Sequence, residues 1–260
     1  GGLLGVAVTD TIMCMGMIVG TIIIMARIRM DIPITQLFSE IGKSFPEMMN
    51  PLTSSPYGTR KYSVFLVFIY ALLFTTCLPY MSVRFLSLSE DIKIHKLSLF
   101  AAIFGLILSF IPFAGLYVLY KNPNLEVADA AMPYFLNNFL NPVVGGIITL
   151  FILFAMLSTI SSVLQTQAAA LSHDIMLSTG LGKGKSEHTI NMINRLAVVA
   201  IAVISLLLTY VAPQGMLNQI SYIGTGGLIS MLVGPTICQI IVKGDTKACI
   251  VSMIVGLILN

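Results

Sequence analysis

Charge is what this sequence has least of. Asp, Glu, Lys and Arg make up 10% of its 260 residues, whereas a soluble domain carries about 25%. A water-soluble surface for a chain of this length is thereby excluded. Histidine is scarce too, with three in all. No HExxH, GxSxG or phosphate-cradling glycine loop occurs, so nothing supports an enzyme. The four cysteines, Cys14, Cys77, Cys238 and Cys249, lie far apart in apolar runs without a CxxC, which indicates neither zinc nor a disulfide framework. A net charge of +3 in so apolar a chain gives no reason to expect a nucleic-acid partner. Also missing are an initial Met and a soluble leader: Gly1 and Gly2 lead almost directly into an apolar run, while the final apolar run, 248–260, is too short to span. The expectation is a chain cut at both ends.

What is there is hydrocarbon, at 57% of residues. The run 3–27 holds a single acid, Asp10; 62–83 and 97–120 hold no charge; 130–172 and 196–242 are uncharged but interrupted by proline. A bilayer core about 30 Å thick needs roughly 20 helical residues. The pattern predicts an all-α polytopic membrane protein with six full spans, at 3–26, 62–84, 97–120, 142–173, 189–211 and 216–242, and a seventh begun near Lys247. Pro142 after Asn141 opens the fourth, and Pro213-Gln214-Gly215 separates the fifth from the sixth. The polar stretch after the first span could carry an amphipathic helix at 36–49, and the stretch 121–141 a short helix. Basic residues are commoner in the loops after the second, fourth and sixth spans, including Arg84, Lys93, Lys96, Lys183 and Lys185. The positive-inside rule puts those loops in the cytoplasm.

Three places can carry chemistry. Asp10 is the acid inside a span, a costly position that marks an ion or proton path, or else reaches interfacial water or pairs with a neighbouring helix. In the fourth span Ala155, Ser158, Thr159, Ser162 and Thr166 recur at helical spacing. Their hydroxyls and freed carbonyls can offer neutral oxygens to a hard cation such as sodium, or simply let two helices pack closely. In the second span Thr75-Thr76-Cys77-Leu78-Pro79-Tyr80 surrounds a proline that removes a backbone donor. That is either an ordinary kink or the broken helix at which transporters place substrate. Gly16 and Gly20 form a GxxxG suited to close packing within the chain, and Gly224, Gly226, Gly227 and Gly234-Pro235 punctuate the sixth span.

The order of these motifs also carries a resemblance. Gly1-Gly2-Leu3 with Ala7-Val8-Thr9-Asp10, Pro79 with Arg84, Ala155-x-x-Ser158-Thr159 with His173-Asp174-Ile175, and Gly234-Pro235 together resemble the sodium/solute symporter family. The resemblance implies two inverted five-helix repeats. Residues 1–26 would be the last helix of the first repeat, 62–243 the second repeat and 247–260 the start of an accessory helix, with the preceding helices missing. It implies a sodium site at the Ala155 carbonyl and the Ser158 and Thr159 hydroxyls, with Asp10 near the sodium exit, and a substrate or gate region at Thr75, Thr76, Pro79 and Tyr80. Sodium is then the coupling ion, a small organic solute the cargo, and a bacterial plasma membrane the location. Thr75 and Ala71 stand where proline-carrying members have aromatics. The Leu78-Pro79 pair and the stretch from Asn50-Pro51 to Gly58 look more like pantothenate transporters. Proline or another small carboxylate is the alternative cargo, and a channel or packing subunit the alternative role.

Overall fold

The computed structural model describes residues 3–49, 63–86, 88, 91–180, 184, 186–211, 217–238 and 245–259. The Gly1-Gly2 pair, the stretch from Asn50 to Gly58 and the turn at Pro213 lie outside them. No strand occurs among the described residues. Five helices are long and apolar enough to cross a membrane: Val8–Asp31, Ile94–Lys121, Pro142–Ala169, His188–Val211 and Ile220–Ile237. The chain is thus an all-α polytopic membrane protein. Its apolar side chains face outward over long stretches; Leu206, Leu207 and Leu208 are 57%, 60% and 65% exposed. Patches of that size in water would drive aggregation, and in hydrocarbon they cost nothing.

The first span is one helix, α1 (Leu3–Asp31), and runs five residues past its expected end because Arg27, Arg29 and Asp31 find partners or solvent there. The amphipathic helix appears as α2 (Ile34–Ser44), followed by a 3-10 turn at Pro46–Met49. Leu37 and Ile41 are its buried face. The second span is broken: α3 (Ser63–Cys77) ends two residues before Pro79, which starts α4 (Pro79–Leu86), with Leu78 between them. Pro79 has no N–H to continue the ladder, and its ring disfavours a helical preceding residue. The third span likewise divides into α5 (Ile94–Leu108) and α6 (Phe113–Lys121), with the backbone tightened into i→i−3 bonds between Phe110 and Gly115, on both sides of Pro112. The short helix expected in 121–141 is α7 (Ala131–Phe139).

The fourth span is α8 (Pro142–Ala169), capped as its sequence suggests: the Asn141 side chain accepts from the Val143 N–H at 2.9 Å with Pro142 in the first turn. It continues through a π turn, Ala170–Ile175, into the short α9 (Met176–Ser178). Then come α10 (Glu187–Val211), α11 (Leu217–Val233) with a second π turn at Gly234–Cys238, and α12 (Thr246–Leu259). The last pair packs so closely that a Cβ on Gly256 would lie 2.0 Å from the Ser230 carbonyl oxygen.

The best-buried core lies at the C-terminal end of α1, where Ile24, Ile28, Leu37, Ile41, Tyr117 and Phe135 exclude solvent between α1, α2, α6 and α7. Polar ties lock its rim. Arg27 Nε donates to the Phe139 carbonyl at 2.8 Å, and Asp31 Oδ2 accepts from Lys121 Nζ at 2.7 Å and from the Tyr117 hydroxyl at 2.8 Å. Tyr117→Phe keeps the packed ring and removes one bond to a carboxylate, so a loss of about 1–2 kcal/mol is expected. A melting curve of the purified full-length protein should fall by a few degrees; an unchanged midpoint would make this bond energetically idle.

Candidate functional site

The first candidate site is made by two helices that pack antiparallel. Along α1 and α8 the partners step in opposite directions: Gly20 meets Ile148, Gly16 meets Phe151, and Asp10 meets Ser158. The GxxxG spacing makes this possible. A Cβ at Gly16 would lie 2.3 Å from the Phe151 ring, so the ring occupies the space that glycine leaves, while at Gly20 the approach to Ile148 is an ordinary 3.5 Å. The close packing expected of the glycine pair is therefore realised within the chain.

That register brings two of the sequence-chosen residues together. The Ser158 hydroxyl donates to the Asp10 carboxylate Oδ1. Ser158 and Asp10 are both half-buried. Ser158 lies sixteen residues past Pro142, about 24 Å along α8 at 1.5 Å per residue, so the contact is well inside the span. Ala155 and Thr159 adjoin it: the Thr159 Oγ1 donates to the Ala155 carbonyl at 3.1 Å. Thr159 is exposed on the described surface and Ala155 half-buried. Thr166 also returns its hydroxyl to the helix, donating to the Ser162 carbonyl at 2.9 Å. The stripe thus presents hydroxyl oxygens that donate to nearby acceptors and retain lone pairs. With Asp10 this gives a carboxylate, two hydroxyls and a carbonyl on one short stretch of helix pair. These are the hard oxygen donors an alkali ion takes, and the formal negative charge is a single one.

The second group sits on the broken helix. Cys77 and Leu78, at the break, are buried. Thr75 and Thr76 donate to the Leu72 carbonyl at 2.9 and 2.6 Å, so both hydroxyls are folded back on their own helix, and both residues are exposed. Beyond Pro79 the Ser82 hydroxyl donates to the Leu78 carbonyl at 3.1 Å, taking up an oxygen at the break. Tyr80 is half-buried with its ring edge-on to Phe74 at 6.4 Å. α4 packs against α8, so the break and the hydroxyl stripe lie on adjoining helices.

Some of the site escaped the sequence reading. The Tyr70 hydroxyl is hydrogen-bonded to Thr225 Oγ1, its ring meets Tyr222 edge-on at 5.3 Å, and Cys77 Sγ lies 3.3 Å from Thr236 Oγ1. These contacts tie α3, ahead of the break, to α11 and to the π turn that follows it. A polar ring in the otherwise apolar run 64–74 was the available signal for Tyr70.

The model of the sodium:solute symporter family matches residues 1–256. The chain belongs to that family. Among relatives, the Sodium/proline symporter 2 of Staphylococcus saprophyticus subsp. saprophyticus is 26% identical over 246 residues, covering 90% of this chain and 46% of that protein. The Sodium/pantothenate symporter of Haemophilus influenzae is 24% identical over 261 residues, covering 99% of this chain and 53% of that protein. The chain therefore spans about half the length of the symporters it matches. No solved structure matches it significantly. As a member of the symporter family the chain is a multi-pass membrane protein, and its family is one of transporters rather than enzymes.

Proposed function

We propose that this chain is the sodium-binding and solute-gating part of a sodium-coupled symporter working by alternating access. The observation that carries the reading is the Asp10–Ser158 contact beside the Ala155 carbonyl and the Thr159 hydroxyl, in a member of the sodium:solute symporter family. Sodium enters here as the co-transported coupling ion. Ser158, Thr159 and the Ala155 carbonyl supply neutral oxygens, and Asp10 supplies the charge that offsets the ion's desolvation. The remaining coordination belongs to helices that the family resemblance assigns to an earlier part of the protein. Residues 1–26 then act as the last helix of a first repeat, 62–243 as the second repeat and 247–260 as the start of an accessory helix.

The cargo enters at the break by Thr75, Thr76, Pro79 and Tyr80, where Pro79 interrupts the backbone ladder. Pantothenate is the solute this reading favours, because Ala71 and Thr75 stand at the two places where the resemblance to proline-carrying members would put aromatics. The relatives named for proline and for pantothenate keep both within the test. Sodium and solute must raise each other's affinity by the same factor, since coupling is reciprocal.

Uptake of radiolabelled pantothenate, proline and short carboxylates by the full-length protein tests this, with sodium present or replaced by choline. Accumulation only with sodium is expected. Flux down a gradient without accumulation would favour a channel instead. Asp10→Asn keeps the size and removes the charge at the Ser158 contact. It is expected to raise the sodium concentration for half-maximal uptake about tenfold, the scale of one charge-assisted contact. An unaltered sodium titration returns Asp10 to a packing role.

A further inference from the structure

The beginning of α10 carries a polar face that sodium and solute handling do not use. His188, Asn191, Met192 and Arg195 line a surface pocket of about 310 Å³. All four are exposed. Among the described residues, the side chains of His188, Asn191 and Arg195 have no hydrogen-bond or ion-pair partner. Asp174, on the π turn that packs against α10, has a partner of its own. Arg195 stands seven residues past His188, about 10 Å down the axis of a helix that spans the membrane. A guanidinium at that depth is costly without an anion, and its long stem lets the head reach back toward the interface.

Beyond Arg195 the same face turns to hydrocarbon. Val199, Val203 and Leu206 fall on it at helical spacing and are 59%, 50% and 57% exposed, and Met192, between Asn191 and Arg195 on the same face, is 57% exposed. From the helix end inward the face therefore reads cation and amide first, then an apolar strip. The positive end of the helix dipole lies at the polar end and adds to the attraction for an anion. A free phosphate would use the first part and leave the strip unmatched. A phospholipid uses both.

We propose that this face is a binding site for an anionic phospholipid, with its phosphate held between His188, Asn191 and Arg195. One acyl chain runs along Met192, Val199 and Val203. The site is separate from the α1–α8 oxygens, so it stands or falls independently of the transport reading.

Native mass spectrometry of the full-length protein released from nanodiscs of mixed phosphatidylglycerol and phosphatidylcholine tests it. The wild type should retain phosphatidylglycerol over phosphatidylcholine by on the order of fivefold, the effect of one basic residue near the surface. Arg195→Gln should bring that preference close to one, and Arg195→Lys should keep most of it, showing that charge rather than folding is responsible. Millimolar inorganic phosphate should leave the retained lipid in place. The proposal is overturned by an Arg195→Gln protein that keeps the wild-type preference, by no retained anionic lipid in the wild type, or by displacement with phosphate alone.

Discussion

Replacing Ser158 and Thr159 together by alanine in the full-length protein is expected to remove most sodium-dependent uptake. The reason is chemical. Each hydroxyl is a neutral oxygen with lone pairs left over after it donates, Ser158 to Asp10 and Thr159 to the Ala155 carbonyl at 3.1 Å. An alanine methyl offers an ion nothing. A contact between a polar group and a charge is worth about 1.5–3 kcal/mol, so two of them correspond to a hundredfold loss of sodium affinity or more, on the order of 3–6 kcal/mol together. The helix itself should be untroubled, because alanine favours helix over serine and threonine. Uptake measured against sodium concentration separates the outcomes. A curve displaced to very high sodium, with normal protein in the membrane, is the expected result. Unchanged uptake at low sodium would remove these hydroxyls from the ion's path and leave the stripe as packing. A Ser158→Thr variant, which keeps an oxygen at that position, should retain far more sodium dependence than the alanine form.

A second large effect is expected at Gly16. The Phe151 ring fills the space where a side chain would begin, with ring carbons 2.3 Å from an ideal Cβ. Gly16→Leu must push the ring aside or separate α1 from α8. Overpacking of this kind costs about 1–3 kcal/mol, and here the strain falls between the helices that carry Asp10 and Ser158. The variant should therefore show both a lower melting midpoint and a weaker sodium dependence. Gly20→Ala is the control. Its Cβ would sit 3.5 Å from Ile148, ordinary contact, and glycine-to-alanine in a helix recovers up to about 1 kcal/mol of backbone preference. If Gly16→Leu left sodium dependence intact while lowering stability, the α1–α8 spacing would matter to the fold alone.

Membrane spans were legible in the sequence because they answer to a one-dimensional rule. Hydrocarbon offers no hydrogen bonds, so each crossing must be a long apolar helix, and runs such as 142–173 announce themselves by composition. The break in the second span was legible for a similarly local reason, since Pro79 removes a donor wherever it stands. The division of the third span around Pro112 is equally local in cause, but the run 97–120 carries no charge and reads as continuous.

By itself, the sequence determined that this is a polytopic helical protein, where its helices run and break, and which few oxygens lie inside the apolar stretches. Only the tertiary structure decided which of those oxygens meet. Asp10 and Ser158 are 148 residues apart, and nothing local to either specifies the other. Their contact follows from antiparallel packing of α1 on α8, set by the glycine notch at Gly16 and the ring that fills it. The pairing of Tyr70 with Thr225 and of Asp31 with Lys121 has the same origin. Composition selects the solvent each helix lies in, whereas shape complementarity between helix faces selects the neighbour, and shape appears only once the chain has folded.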